Sequence, residues 1–383
     1  MADTDRTEEH RILRETIRRF CAEKVAPRAA EADETGQYPW DVHEALVRQG
    51  LFKMRVPAAY GGAPVDFTSL CIVVEEIARV DGSSAITVTH HQAGLGCFLN
   101  GADEAQRERY LPKVGRGDYL VGFALTEPGA GSDAFALRTR AAGSPEGGYI
   151  VNGRKCFISN AGLTDLYVFF ATVNPSLRRE GITAFLAEKN TPGLVVGKAE
   201  NKMGLRGSPT RDLLFEDMRL PKENRLGEEG RGWEIVLRSL TETRVLIASM
   251  SLGIAQAAME AAVAYAKQRE QFGRPICDFQ GVSFLLADMA VQVECARALI
   301  DRVAVGVEEG MTDQTYLASI AKCFASDTAM RVTTDAVQVL GGYGYTREYP
   351  VERMMRDAKA TQIIEGTNQI QRVQIARSLM KKY

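Results

Sequence analysis

One carboxylate in the sequence stands in a setting that suits acid–base chemistry. Glu365 follows two isoleucines and precedes Gly366. Where the surroundings are dry, the charged form of a carboxyl group is disfavoured, so its pKa rises and it becomes a better proton acceptor near neutral pH. An acidic residue at the start of a helix is also favoured by the helix dipole alone. The residue types leave both interpretations of Glu365 open.

A glycine-rich loop after an apolar run is the second candidate. Residues 129–134, GAGSDA, have the G-x-G-x-x-A spacing of a dinucleotide-binding loop. That loop belongs to a βαβ unit, whereas Pro128 precedes the glycines and Asn152-Gly153 predicts a β-hairpin downstream. We therefore do not expect a Rossmann site. The loop can still approach a phosphate, because glycines leave room for backbone N–H donors and Ser132 adds a hydroxyl group.

Two further segments have two interpretations each. Gly341-Gly342 suits the end of a helix and a turn, but it also permits close backbone approach to a ligand. Arg269 lies near a predicted helix end, where it complements the helix dipole or clamps a pyrophosphate through two hydrogen bonds. Spacing alone does not decide between these roles.

The composition excludes several classes of protein. The 383 residues contain 47 Lys and Arg against 49 Asp and Glu, so the net charge of −2 provides no basic surface for nucleic acid or an anionic membrane. The charged N-terminus lacks the apolar stretch of a signal peptide, and the most apolar run, residues 245–255, is too short to cross a bilayer. We expect a soluble cytoplasmic protein.

The cysteines and histidines predict neither disulfides nor a metal site. The seven cysteines are scattered and form no C-x-x-C pair, which is typical of free thiols in a reducing compartment. The four histidines form no H-E-x-x-H motif and no cluster with cysteine. We expect no metal cofactor.

The elements that position these residues are predicted in an α, β, α order. Residues 1–117 show helical periodicity in stretches that include a first helix closed by Pro27. Residues 118–228 contain short β-branched runs separated by turn residues, and residues 229–383 contain helices predicted at 234–268, 278–309 and 312–339. Because the β runs are clustered rather than alternating with helices, we do not expect a parallel βαβ sheet.

Five segments, spread over nearly the whole chain, carry a family resemblance. They are 123–133 (FALTEPGAGSD), 153–160 (GRKCFISN), 269–275 (REQFGRP), 335–342 (DAVQVLGG) and 364–372 (IEGTNQIQR). In this order they resemble the acyl-CoA dehydrogenase family. The resemblance implies an α+β multidomain fold with an N-terminal helical domain, a central β-barrel domain and a C-terminal four-helix bundle. It also implies a homotetramer with FAD at the domain and subunit junctions.

The resemblance also implies roles for particular residues. The flavin would lie against Phe123, Leu125, Thr126, Ser132, Phe157, Ile158 and Ser159. A neighbouring subunit would contribute Arg269, Gln271, Phe272, Gln280, Gln338, Leu340, Gly341 and Gly342. Thr367 and Gln369 would close over the cofactor. Substrate contacts would come from Ser132, Thr241, Arg244 and Gly366.

In this resemblance Glu365 is the catalytic base. It would take the α proton of an acyl-CoA while the β hydrogen leaves as hydride to flavin N5, which gives a trans-2-enoyl-CoA. Some relatives place the base immediately before the residue that matches Arg244; here that residue is Thr243, and Glu242 would point about 100° away on a helix. Thr241 stands where many relatives carry Asp. This departure puts the adenine-end contact in doubt.

The substrate and the electron acceptor are less well defined by the sequence. No arginine lies between Arg79 and Arg107, so an acyl group with a terminal carboxylate is disfavoured. We expect a short- or medium-chain acyl-CoA, with branched or cyclic groups included, and an electron-transfer flavoprotein as acceptor. The alternatives are an acyl-CoA oxidase, a non-redox lyase or acyl-carrier-linked enzyme on the same scaffold, and a CoA-binding module without turnover.

Overall fold

Helices form the first third of the chain in the computed structural model, which describes residues 7–382. They are α1 Glu8–Phe20, α2 Ala26–Thr35, α3 Trp40–Arg48, α4 Phe67–Ala78, α5 Gly82–Gly101 and α6 Glu104–Arg116. Aspartate side chains accept backbone N–H bonds at the first turns of the last three, from Asp66, Asp81 and Asp103. Such caps satisfy N–H groups that have no partner within the helix.

The prediction that Pro27 closes the first helix is wrong. A π-helical segment, Cys21–Val25, joins α1 to α2, and Pro27 lies in the first turn of α2. Proline is tolerated there because the N–H that it lacks would have no partner within the helix. The helix instead ends at Gly36, which has a left-handed conformation with φ +67°.

The middle of the chain forms one eight-stranded sheet. The strands are β1 Val121–Ala124, β2 Arg140–Gly143, β3 Tyr149–Ser159, β4 Leu166–Thr172, β5 Ile182–Glu188, β6 Leu194–Ala199, β7 Thr210–Leu220 and β8 Arg225–Leu226. Their order is β6-β7-β3-β2-β4-β5-β8, and β1 pairs with β4 in parallel. Strand β2 also pairs with β4 in parallel, at Arg140 and Thr172, and within residues 121–172 no α-helix lies between the parallel strands, so no βαβ crossover is involved. These strands form the middle β domain that was expected, with β6 and β8 at the ends of the pairing order.

The hairpin predicted at Asn152-Gly153 is also wrong. Both residues lie inside β3, where the register with β7 shifts between Val151 and Gly153. A Cβ on Gly153 would lie 2.5 Å from the Thr139 hydroxyl oxygen, so this glycine permits close approach at a bulge rather than a turn. The hairpin between β2 and β3 is formed by residues 144–148.

Long helices return after the sheet. They are α7 Gly232–Gln268, α8 Gln280–Glu308, α9 Gln314–Leu340, α10 Val351–Thr361 and α11 Asn368–Lys382, with a small hairpin of β9 Glu270–Gln271 and β10 Arg274–Pro275 after α7. The first three agree with the predicted ranges to within two residues. They pack against one another, α10 packs on α7 and α9, and α11 packs on α9.

Helix α5 connects the three parts of the molecule. It packs on α4 and α7 and lies against β1, and nearly all of its residues are buried. A Cβ on Gly94 would lie 2.8 Å from the Val121 carbonyl oxygen, so the helix and the strand are in direct backbone contact. Helix α7 is the one helix within residues 7–382 that is long and apolar enough to cross a membrane, and 83% of its most apolar window is buried inside the protein.

Candidate active site

Glu365 lies in a tight turn between α10 and α11. Its φ is +53°, which is uncommon for a residue with a side chain, and the following Gly366 has φ +89°. Two buried donors hold the carbonyl groups of this turn. The Gln371 amide donates to the Glu365 oxygen at 3.1 Å and to the Gly366 oxygen at 2.9 Å, and Lys322 Nζ donates to the same Gly366 oxygen at 2.9 Å.

The Glu365 side chain is partly buried, and its carboxylate lies against α7. The Thr243 hydroxyl lies 3.2 Å from Glu365 Oε2 and 3.1 Å from the Ser239 carbonyl oxygen, so it can donate to either atom. Burial raises the pKa of Glu365, while the Thr243 hydrogen bond and the charges of Arg244 and Lys322 oppose that rise. A carboxyl group with a raised pKa suits the role of a general base near neutral pH.

The surroundings of Glu365 contain hydrogen-bond donors without acceptors. The Nε and Nη1 atoms of Arg244 are buried and make no hydrogen bond within residues 7–382, and burial lowers the pKa of this guanidinium. The backbone N–H of Glu365 likewise donates no hydrogen bond in that part of the chain. Unpaired buried donors are costly unless a ligand accepts from them. A group with acceptor oxygens, placed beside the carboxylate, would satisfy these donors.

The predicted cofactor-binding residues of the sheet lie in two neighbouring segments. One follows β1 and the other ends β3, and the Cys156 N–H donates to the Thr126 oxygen at 2.9 Å to join them. Phe157 has φ +57° although 67% of its surface is exposed. Ser132, Gly129 and Gly131 are exposed. The side chains of Leu125 and Ile158 are buried, so only the backbone of these two residues could contact a cofactor. Phe123, Thr126 and Ser159 are partly buried.

A buried ion pair fixes these two segments. Lys155 Nζ donates to Glu127 Oε1 at 2.7 Å and to the Leu125 oxygen at 3.0 Å. Glu127 also accepts the N–H groups of Arg138 and Thr139 at 2.6 and 3.0 Å. Burial lowers the pKa of Lys155 to about 8, and the paired lysine lowers the pKa of Glu127 against its own burial. The loop 125–132 is therefore positioned by a charge pair that the sequence analysis did not identify.

A second set of predicted residues lines a groove at the other end of α7. It contains Arg269, Gln271, Leu340, Gly341 and Gly342, with Tyr265 and Tyr343. A Cβ on either glycine would meet no atom within 4 Å, so the groove is open at this point. Within residues 7–382, no hydrogen bond or ring contact joins this groove to the segments beside Phe157.

The remaining predicted residues lie outside these groups. Gln280, Gln338 and Gln369 are exposed, and Phe272 is 94% exposed with φ +52°. Thr367 accepts the Ile370 N–H at 3.3 Å in the first turn of α11. The Thr241 hydroxyl donates to the Leu237 oxygen at 3.0 Å and lies 3.2 Å from Thr315 Oγ1.

An arginine outside the predicted motifs, Arg55, lies against α5. Arg55 precedes α4 in the chain, yet its Nη2 lies 2.5 Å from Glu242 Oε2, and a Cβ on Gly96 of α5 would lie 2.7 Å from Arg55 Nη1. Glu242 thus pairs with an arginine. Because Arg55 has its own counter-charge, it is not a free cation for a terminal carboxylate.

Two histidines of α5 also contribute to the site without having been assigned a role. His91 Nδ1 accepts the Val121 N–H at 3.0 Å, and His90 Nε2 accepts the Phe123 N–H at 3.2 Å. Burial lowers the pKa of His90 to about 3 and that of His91 to about 4, so both rings are neutral acceptors. They attach strand β1, which carries Phe123, to the helix that packs beside Glu365. Within residues 7–382, no group of three His, Cys, Asp or Glu side chains is arranged for a metal ion.

Comparison with known proteins gives matches over nearly the whole chain. Models for the N-terminal, middle and C-terminal domains of acyl-CoA dehydrogenase match residues 7–118, 122–218 and 230–380. An acyl-CoA dehydrogenase of Bacillus subtilis is 45% identical over 98% of this chain and 98% of its own length. A cyclohex-1-ene-1-carbonyl-CoA dehydrogenase of Syntrophus aciditrophicus is 43% identical over 98% of this chain and 90% of its own.

Solved structures are equally similar. Butyryl-CoA dehydrogenase from Megasphaera elsdenii has a TM-score of 0.95 at 43% identity and covers 99% of this chain and 100% of its own. A chain solved in work on the electron transferring flavoprotein of Acidaminococcus fermentans has a TM-score of 0.95 at 42% identity, covering 98% and 99%. An acyl-CoA dehydrogenase complexed with FAD from Bacillus anthracis has a TM-score of 0.92 at 31% identity, covering 100% of this chain and 70% of that chain.

Proposed function

The chain belongs to the acyl-CoA dehydrogenase family, and from this premise we propose that it oxidises the Cα–Cβ bond of a short- or medium-chain acyl-CoA to a trans-2-enoyl-CoA with FAD. The observation that carries the proposal is the turn at Glu365. It combines a carboxyl group of raised pKa with an unpaired N–H on the same residue and an unpaired guanidinium beside it.

Each of these groups has a part in removing the α proton. Glu365 accepts the proton. Its raised pKa is closer to the pKa of the weakly acidic α C–H group than the pKa of an ordinary carboxyl group would be. Loss of that proton places negative charge on the thioester oxygen, so the unpaired Glu365 N–H is the donor that stabilises it. Arg244 supports a negative charge in the same dry region, and Thr243 orients the carboxylate.

The residues present fit FAD. The glycines at 129 and 131 leave open backbone beside the exposed Ser132, and Phe157 is held exposed in a strained conformation. An FAD in contact with Phe123, Leu125, Thr126, Ser132, Phe157, Ile158 and Ser159 would supply the acceptor for the β hydrogen, which leaves as hydride.

The groove lined by Arg269, Gln271 and the glycines 341 and 342 supports a site shared between subunits. Its guanidinium and amide groups are exposed, as is Phe272 beside them. In the proposed homotetramer this face, with Gln280 and Gln338, meets the FAD of a neighbouring copy, and Thr367 and Gln369 close over the cofactor. Sedimentation should show a tetramer, and the Arg269→Ala variant should lose FAD. Both results would support a cofactor site shared between subunits.

The relatives support a short or cyclic acyl group and a flavoprotein acceptor. Butyryl-CoA and cyclohex-1-ene-1-carbonyl-CoA dehydrogenases are more than 40% identical to this chain, and one matching chain was solved in work on an electron transferring flavoprotein. The pairing of Arg55 with Glu242 argues against a terminal carboxylate on the substrate.

The direct test is an anaerobic titration of the purified protein. Straight, branched, cyclic and dicarboxylic acyl-CoAs are added in turn while the flavin absorbance is followed. Bleaching by a short or cyclic substrate, with electrons passed on to an electron-transfer flavoprotein, is the expected result. A flavin band that no thioester bleaches, or a colourless protein, would contradict the proposal. Fast reoxidation by oxygen would instead favour an oxidase.

Glu365→Gln tests the base itself. We expect the variant to retain FAD and to lose flavin reduction by roughly two to four orders of magnitude, as for loss of a general base. Glu242→Gln is the matched control, since this carboxylate pairs with Arg55 and lies next to Thr243 on α7. Near wild-type reduction in the Glu365 variant, or an equal loss in the control, would show that Glu365 is not the base.

A further inference from the structure

We propose that Lys322 is a positioning residue for the reaction, holding the Glu365–Gly366 turn in place and supplying a counter-charge for the Glu365 carboxylate. The inference rests on the proposed function, because it assigns a partner to the base named there. Lysine 322 belongs to none of the segments that carry the family resemblance.

Lys322 is a charged residue at a buried position of α9. Its side chain is fully buried, and it lies on the apolar stripe formed by Ala318, Ala325 and Ala329. Its Nζ donates to the Gly366 oxygen at 2.9 Å and to Asn368 Oδ1 at 2.8 Å. A buried ammonium group is costly unless its donors are satisfied, and both acceptors come from the segment that carries Glu365.

These hydrogen bonds determine how the turn is oriented. Lys322 and Gln371 together hold the carbonyl oxygens of Glu365 and Gly366 on the side of α9 and α11. With its carbonyl groups engaged, the turn is kept in a conformation with positive φ at both residues. The Glu365 N–H then remains free to donate to a substrate oxygen.

Titratable groups on three helices surround Glu365, and two of them are charged. Arg244 on α7 and Lys322 on α9 both lower the pKa of the carboxylate, and the Cys97 thiol on α5 faces it as well. Lys322 itself also faces Cys323 and Asp327 on its own helix and the Arg244 cation on α7. Asp327 is already bound by Arg372, at 2.7 Å, so its charge is largely matched. Lys322 therefore has Glu365 as its main unmatched anionic neighbour.

A purely structural role for Lys322 is the competing explanation. Lys322 contacts Asn368, which also donates to Ser326 Oγ at 2.9 Å and to Asp327 Oδ1 at 2.7 Å in the first turn of α11. In that case, Lys322 would only attach α11 to α9. A structural role would affect stability and the rate at every pH equally. A counter-charge would move the pH at which Glu365 ionises.

The test is Lys322→Met in the FAD-loaded protein. Methionine keeps the unbranched shape, and the Gly366 oxygen retains its bond from Gln371, so we expect the protein to fold. Removal of a nearby cation should raise the pKa of Glu365. This is measured without substrate, by infrared titration of the carboxyl band that disappears in Glu365→Gln. Flavin reduction should fall roughly 100-fold through misplacement of the turn, with its acidic limb shifted to higher pH.

Matched variants separate the outcomes. Ser319→Ala removes a buried hydroxyl one turn away on α9, which within residues 7–382 bonds only to the Thr315 oxygen. It should leave both readouts unchanged. Lys322→Arg keeps the charge and should keep the Glu365 pKa. If Lys322→Met does not fold, Lys322→Gln, which also lacks the charge, should show the same shift.

A Glu365 carboxyl band that titrates at the wild-type pH in the uncharged variant overturns the inference, even if the rate falls. The titration does not depend on turnover. If no acyl-CoA reduces the wild-type protein, the proposed function fails while the infrared result still decides the role of Lys322.

Discussion

The buried pair of Lys155 and Glu127 gives a prediction whose magnitude follows from the structure. The Lys155 side chain is fully buried and that of Glu127 is 5% exposed. In Lys155→Met the carboxylate would lose its cation and the Leu125 oxygen would lose a donor. Removing one partner of a buried pair typically costs about 3–5 kcal/mol. Because two backbone N–H groups still bind Glu127, we expect the lower part of this range, about 3 kcal/mol.

The neighbouring residue on the same strand provides the control. Arg154 donates to Asp212 Oδ2 from its Nε at 2.8 Å, but its side chain is 56% exposed. The Arg154 end of this pair is in water, although Asp212 is 13% exposed, so Arg154→Ala should cost less than Lys155→Met, about 1 kcal/mol. The double variant Lys155→Met with Glu127→Gln should recover part of the loss, since it removes the unpaired charge.

Urea denaturation measures these differences. Circular dichroism follows the unfolding of the helices. The fluorescence of Trp233, which packs on Phe135 with a ring separation of 4.5 Å, follows the region close to the loop 125–132. Coincident transitions for the two signals are required before the midpoints are converted to free energies. A Lys155→Met protein within 1 kcal/mol of the wild type, or one no less stable than the Arg154 control, would refute the reasoning.

Two further predictions concern stability. Burial and neighbouring carboxylates raise the pKa of Asp357 to about 7, and its side chain accepts the Leu205 N–H. Between about pH 4 and 7 the folded state therefore binds more protons than the unfolded chain. The free energy of unfolding falls as the pH rises through that window. Asp357→Asn should flatten this dependence of the melting temperature and be more stable than the wild type at pH 8; an unchanged profile would contradict it. Gly94→Ala would place a Cβ 2.8 Å from the Val121 oxygen and should cost about 1–3 kcal/mol. Gly143→Ala, which meets no atom within 4 Å, should be nearly neutral, and equal melting temperatures would show that α5 and β1 can separate freely.

The sequence predicted the order of elements because each part has a clear period. The apolar stripes of α7, α8 and α9 are long enough to give helix ends within two residues of those observed. The three-part fold and the family were likewise predicted correctly. The two local errors have a common cause. Pro27 and Asn152-Gly153 are strong signals for ending an element, but each also fits inside one, at a helix first turn and at a bulge.

The sequence predicted only those site residues that belong to recognisable motifs. Glu365 was found from its motif and its apolar neighbours, whereas Lys322, Arg55 and the pair of Lys155 and Glu127 depend on contacts between residues distant in the chain. One signal was present in the sequence: Lys322 interrupts an apolar stripe of α9 at a position that must be buried. A lone charge on such a stripe predicts a buried partner, but only the fold identifies it.

Backbone strain occurs at three positions of the proposed site, among seven residues other than glycine that have positive φ within residues 7–382. Phe157, Phe272 and Glu365 all have positive φ, although none is glycine. Such conformations cost about 1–3 kcal/mol each, and a residue that is also exposed gains little packing in return. Phe157 and Phe272 are both exposed. Since all three lie in motifs that the resemblance assigns to the cofactor or the base, a bound cofactor and a second copy of the chain are the contacts that would offset this strain.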